Sequence, residues 1–166
     1  MSTDPWLLTA LTIITAATPL MYAAIGELVA EKSGVLNLGV EGMMLGGAVV
    51  SFAIAHITGS GYLGALGGAC AGMLLAALFA LLTLGLQASQ VASGLALTIF
   101  GVGLTALLGQ PLVGIAFAGV PEIAIPVLSE LPIVGQLLFR HDIFVYGSFI
   151  LVAAVSWFLY LSLIHI

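Results

Sequence analysis

Asn37 and Glu41 carry the groups in this chain best suited to chemistry. They lie four residues apart in Gly34-Val35-Leu36-Asn37-Leu38-Gly39-Val40-Glu41-Gly42-Met43-Met44-Leu45-Gly46-Gly47-Ala48, an otherwise apolar and glycine-rich run. A soluble core has no need of that arrangement. Within a membrane span, burying a carboxylate charge costs roughly 3 kcal/mol or more, so its default reading is functional. The glycines let backbone approach backbone, or let a helix break so that free amides and carbonyls face a cavity. Two roles stay open for Glu41. It lines a polar path through a membrane, or it holds a broken span together by a helix-cap or interhelix hydrogen bond.

A second polar set lies further on. Gln90, Gly94, Thr98, Gly101 and Thr105 are spaced by three or four and share one helical face, the other faces being Leu, Ile, Val and Phe. Gln90, Ser93 and Thr98 are the candidates to sit opposite Asn37 and Glu41 along a substrate pathway. Amide and hydroxyl groups suit an uncharged polar solute better than a ring of fixed charges would. Plain helix packing is the rival reading of this face.

The elements that must position these groups are membrane spans. The chain has 166 residues, 62% hydrophobic and 5% charged, with mean hydropathy +1.31. Soluble domains carry about 25% charged residues, enough to cover a surface; this chain cannot do so. The expected fold class is an all-α polytopic membrane protein in a single transmembrane domain, 1–166. Spans are predicted near 6–25, 35–57, 62–86, 91–108 and 143–166, with a possible broken or re-entrant segment. The second span is expected to hold both Asn37 and Glu41. Thr9, Thr12, Thr15 and Thr18 form a hydroxyl ridge on the first span, able to bond the preceding turn or a neighbouring helix. Pro19 is expected to kink that span. Glu27, Glu31 and Lys32 read as charges at the membrane surface.

Small residues mark the helix contacts. Gly42 and Gly46 make a small-xxx-small pair. Gly64, Gly68, Gly72, Ala76 and Ala80 form a smooth stripe on the third span, and Gly94 and Gly101 do the same on the fourth. The connection Gly109 to Asp142 holds Pro111, Pro121, Pro126 and Pro132, which argue against one continuous helix. Its apolar middle is expected to lie on or dip into the membrane face. Trp6, Tyr146, Trp157 and Tyr160 suit the interfacial belts. Lys32 and Arg140 fall on opposite sides and cancel, so charge does not decide orientation. The last predicted span stops without a polar flank, as a truncated sequence would.

Several function classes lose support. With Lys+Arg 2 against Asp+Glu 7, nucleic-acid binding has no electrostatic basis. No Gly-rich Lys-Ser/Thr loop, no His-Glu-x-x-His helix and no Gly-x-Ser-x-Gly elbow is present. His56, His141 and His165 are scattered and outline no metal site, and Cys70 has no intrachain partner. The chain is therefore not expected to be an enzyme, nor to hold a cofactor.

From Glu31-Lys32-Ser33-Gly34-Val35-Leu36-Asn37 through Glu41-Gly42-Met43-Met44, the sequence resembles the permeases of ABC importers for branched-chain amino acids, simple sugars and nucleosides. It departs only in having Lys32 where Arg is commoner. Gln90-Val91-Ala92-Ser93-Gly94 to Thr105 is a second match, and Ile125-Pro126-Val127-Leu128 to Gly135 a weaker third. The Glu41-Gly42-Met43-Met44 form is most similar to the sugar and nucleoside branch. The resemblance runs from about Pro19 to Tyr160; Leu161 to Ile166 fit it poorly. It implies the N-terminal portion of a larger permease fold, with a coupling segment beyond Ile166. It further implies a multi-pass protein of the bacterial cell (inner or plasma) membrane, working with an ABC ATPase, a second permease subunit and an extracytoplasmic substrate-binding protein. An ion-coupled secondary transporter, which also uses broken helices and an intramembrane carboxylate, is the alternative.

Overall fold

The computed structural model describes residues 5–124 and 134–162, and most of these are helical. Five helical stretches are long and apolar enough to cross a membrane: Pro5–Lys32, Val40–Thr58, Gly61–Gly85, Gln90–Leu112 and Ile143–Leu161. We number the helices α1 (Pro5–Lys32), α2 (Val40–Thr58), α3 (Gly61–Ala80), α4 (Gln90–Gly109), α5 (Val134–Leu138) and α6 (Ile143–Ser162). Two compact units result. One comprises 30–120; the other comprises the described parts of 1–29 and 121–166.

The first unit is built around α2. Its start differs from the expected Val35: Val35 to Gly39 lie outside the helix, so Asn37 precedes α2 and only Glu41 is within it. The cause is local. Gly34 takes a left-handed φ of 83° at the end of α1. Val35 N donates to Ala30 O at 3.0 Å and Gly34 N to Glu31 O at 2.9 Å. This pair of bonds closes a helix end and turns the chain away. Gly59, also left-handed at φ 69°, ends α2, and Ser60 caps α3 by accepting from Leu63 N. A two-residue joint therefore lays α2 against α3 as a hairpin.

The hairpin packs on small residues. Gly47, Ser51 and Ala55 on α2 meet Gly64 and Gly68 on α3; a Cβ on Gly68 would lie 2.8 Å from both Gly47 O and Ser51 Cβ. Gly46 is filled against by Leu75, whereas nothing lies within 4 Å of a Cβ built on Gly72. The close part of the stripe is thus Gly64 and Gly68. Met43, Phe79 and Leu97 join α2, α3 and α4 in a buried cluster, with Val35 and Leu75 packed on it. Beyond α3 the chain runs into a π-helical turn, Leu81–Gly85. Gln87, with φ 54°, then reverses it, and Ser89 caps α4 by accepting from Ala92 N at 3.4 Å.

In the second unit, the four threonines of α1 all bond back to the carbonyl four residues earlier, at 2.9 to 3.0 Å. The ridge is satisfied within its own helix, and α1 continues through Pro19. Tyr22 Oη donates to Phe144 O at 2.9 Å, and Gly147 gives that ring its room. Asp142 Oδ1 accepts from Phe144 N and Val145 N at 2.9 and 3.0 Å and caps α6. Ile123–Ala124 (β1) pairs antiparallel with Arg140–His141 (β2), Ile123 opposite His141. The buried His141 ring donates from Nε2 to Leu137 O at 2.8 Å, since a carbonyl can only accept. The expected excursion of the long connection onto the membrane face, and the third motif from Ile125, fall mostly on 125–133, outside the described residues; so do the last residues of the chain, 163–166.

Candidate functional site

The segment 34–39 is held by one face of α4. Gln90 Oε1 accepts from Leu36 N at 2.8 Å, and its Nε2 donates to Gly34 O at 3.5 Å. One side-chain amide thereby spans the two peptide groups flanking Val35, as a neighbouring strand would. Two turns further along α4, Thr98 Oγ1 donates to Leu38 O at 2.9 Å. Between them, a Cβ on Gly94 would lie 2.9 Å from Leu38 N and 3.0 Å from Gly39 N. Gln90, Gly94 and Thr98, spaced by four, are a track for an extended piece of backbone. Unpaired backbone groups in hydrocarbon are costly, so a broken segment persists only where protein groups satisfy it.

Asn37 works inside the segment. Its Oδ1 accepts from Gly39 N at 3.0 Å, an Asx turn that leads into α2, and its Nδ2 approaches Met43 Sδ at 3.6 Å. Gly39 itself is buried: a Cβ there would lie 3.0 Å from Leu97 Cδ2 and 3.2 Å from Gly94 O. Glu41 is different. It is the second residue of α2 and its side chain is exposed. The amides of a helix N-terminus favour a carboxylate at that position by about 0.3–1 kcal/mol in water. Ser93 is buried on α4, and its hydroxyl bonds to no described residue.

The two predicted polar sets are therefore brought together, but largely bond to backbone. Gln90, Thr98 and Asn37 hold the segment; Glu41 and Ser93 keep their side-chain oxygens unspent. The face shared by Gln90, Gly94, Thr98 and Gly101 is a packing face. Past Thr98 it meets α2 at its closest crossing, where a Cβ on Gly101 would fall 2.5 Å from Gly42 Cα. Gly39 and Gly47 were not singled out from sequence. The spacing of Gly47, Ser51 and Ala55 by four was the available signal for the second. For Gly39 the signal is its place in the glycine-rich run; its partner depends on where α4 lies. Among the described residues no group of three His, Cys, Asp or Glu could hold a metal ion.

Comparison with known proteins agrees with the resemblance. Over 153 residues the chain is 43% identical to a Haloferax volcanii protein whose name gives it as a glucose ABC transporter permease, TsgC13, covering 90% of this chain and 46% of that one. It is 30% identical to the Bacillus subtilis guanosine ABC transporter permease protein NupQ, covering 86% and 48%. It is 29% identical to the Lactococcus lactis nucleoside ABC transporter permease protein NupC, again covering 86% and 48%. The chain spans about half the length of these curated relatives. No solved structure matches it. The family model for the permease component of branched-chain amino acid transport systems matches residues 9–164, and with it the five spans and the pinned segment take their place: this chain belongs to that permease family.

Proposed function

We propose that this chain forms part of the translocation pathway of an ATP-driven ABC importer for a small, uncharged polar solute, a nucleoside or a simple sugar. The observation that carries the reading is the non-helical segment 34–39, bonded to α4 by Gln90 and Thr98 and followed at once by the exposed Glu41. The N-terminal end of α2 favours a carboxylate there, and the exposure of Glu41 beside a break in the helices also leaves it able to meet a polar solute. In the proposed pathway Glu41 and Ser93 face the solute, while Asn37, Gln90 and Thr98 brace the segment that presents them. The names of the curated relatives, for glucose, guanosine and nucleosides, support the solute class.

The same reading places ATP hydrolysis in a separate ATPase chain. It adds a second permease subunit and an extracytoplasmic binding protein, and it gives this chain no enzymatic step. The setting is the plasma membrane of a prokaryotic cell; two of the three relatives are bacterial, which supports a bacterial cell membrane.

The test is Glu41→Gln in the assembled transporter, with uptake of labelled nucleoside and glucose as the readout. Uptake is expected to fall tenfold or more while the protein level in the membrane stays normal. Wild-type uptake would remove Glu41 from the pathway. Uptake that survives ATP depletion but collapses with an ion gradient would replace ATP-driven import with ion-coupled transport.

A further inference from the structure

Thr105 behaves unlike every other described threonine. Six of them, Thr9, Thr12, Thr15, Thr18, Thr58 and Thr83, turn their hydroxyls back to the carbonyl four residues earlier. Thr98 instead reaches across to Leu38 O. The Thr105 Oγ1 atom is buried and has no hydrogen-bond partner. Its ready acceptor is Gly101 O, one turn back on the same helix.

The position explains why this matters. Gly101, Thr105 and Gly109 follow one another at spacings of four on the face that meets α2. Gly101 lies against Gly42, and a Cβ on Gly109 would sit 3.5 Å from Val49 Cγ2. Thr105 is therefore inside the α2–α4 seam. A buried hydroxyl is normally bonded, and one left without a partner in dry surroundings is destabilising. At Gly42 and Gly101 backbone meets backbone directly, with no side chain of either residue between them.

We propose that the α2–α4 seam has a second packing, in which Gly42 and Gly101 part and the Thr105 hydroxyl turns to Gly101 O. The Thr98–Leu38 bond holds the other end, so the segment 34–39 stays with α4 while the seam opens towards Thr105. The buried hydroxyl raises the energy of the closed packing and keeps the open one within reach. Within the permease reading, on which only its purpose rests, this is an element able to alternate between two pathway shapes.

The test uses a cysteine pair, Val49→Cys with Gly109→Cys, in a Cys70→Ser background, with disulfide formation followed in native membranes. The pair reports the closed packing. Thr105→Val keeps the shape and removes the hydroxyl, so it favours the closed packing; the disulfide is expected to form at least threefold faster. Thr105→Ser restores the hydroxyl and should return the rate to that of the parent. Equal rates for Thr, Val and Ser would overturn the proposal. Spin labels at positions 49 and 109 give the same answer if the disulfide perturbs the helices: Thr105→Val is expected to narrow the distance distribution, and an unchanged distribution overturns the proposal. Neither readout involves transport. A parent chain that supports no uptake would therefore defeat the permease reading and leave the seam result standing.

Discussion

Single side chains decide whether the segment 34–39 keeps its place. Gln90 supplies an acceptor to Leu36 N at 2.8 Å, while its donor contact to Gly34 O is long, at 3.5 Å. The acceptor bond should therefore dominate. Gln90→Leu is expected to destabilise the chain by about 0.5–1.5 kcal/mol, the net worth of one hydrogen bond at an exposed contact. Gln90→Glu keeps an acceptor oxygen and should recover much of that loss. Thermal unfolding in detergent micelles measures both; equal stability of the Leu and Glu variants would refute the assignment. Thr98→Val removes the donor to Leu38 O and keeps the shape, so a loss of about 1 kcal/mol is expected by the same measurement.

Helices in this chain meet through what their residues lack. A Cβ on Gly68 would press on Gly47 O and Ser51 Cβ, both at 2.8 Å, and backbone cannot swing aside. Gly68→Ala should cost about 1–3 kcal/mol through forced separation of α2 and α3. Gly72, one turn away on the same stripe, faces open space in this chain. Gly72→Ala should leave stability unchanged or raise it by up to about 1 kcal/mol through helix propensity. The two variants, compared by urea or thermal unfolding in micelles, separate stripe from contact; equal losses would show that the whole stripe is packed. At α6, Asp142→Ala should cost about 1 kcal/mol by removing the cap on Phe144 N and Val145 N, with Asp142→Asn close to the parent. The exposed Arg140–Glu122 pair, at 3.6 Å, should matter much less.

For the molecule as a whole, the surface is apolar where a soluble protein would be polar. Leu74, Ile99 and Leu107 are 70% exposed or more, all on helices long enough to span a bilayer. That surface needs lipid or further protein against it. The chain is expected to stay in the membrane pellet after alkaline carbonate extraction and to need detergent for release; recovery in the soluble fraction would refute the spans.

The five spans, the polar runs and the family signature were legible in the residues alone, because a bilayer enforces length and apolarity on each helix separately. The unwinding at Gly34 was half legible, in its glycines and its amide, but the span was expected to begin at Val35. Hydrophobicity cannot tell apolar helix from apolar extended chain. What the tertiary structure alone decided is how the polar groups are used. Gln90 and Thr98 read from sequence as polar groups on one helical face; α4 laid beside residues 34–38 adds that both bond to backbone. Thr105 read as one more polar residue on a face until its hydroxyl proved buried without a partner. A side chain's chemistry is written in the sequence, but its partner is set by which backbone atoms other elements bring within 3 Å or so of it.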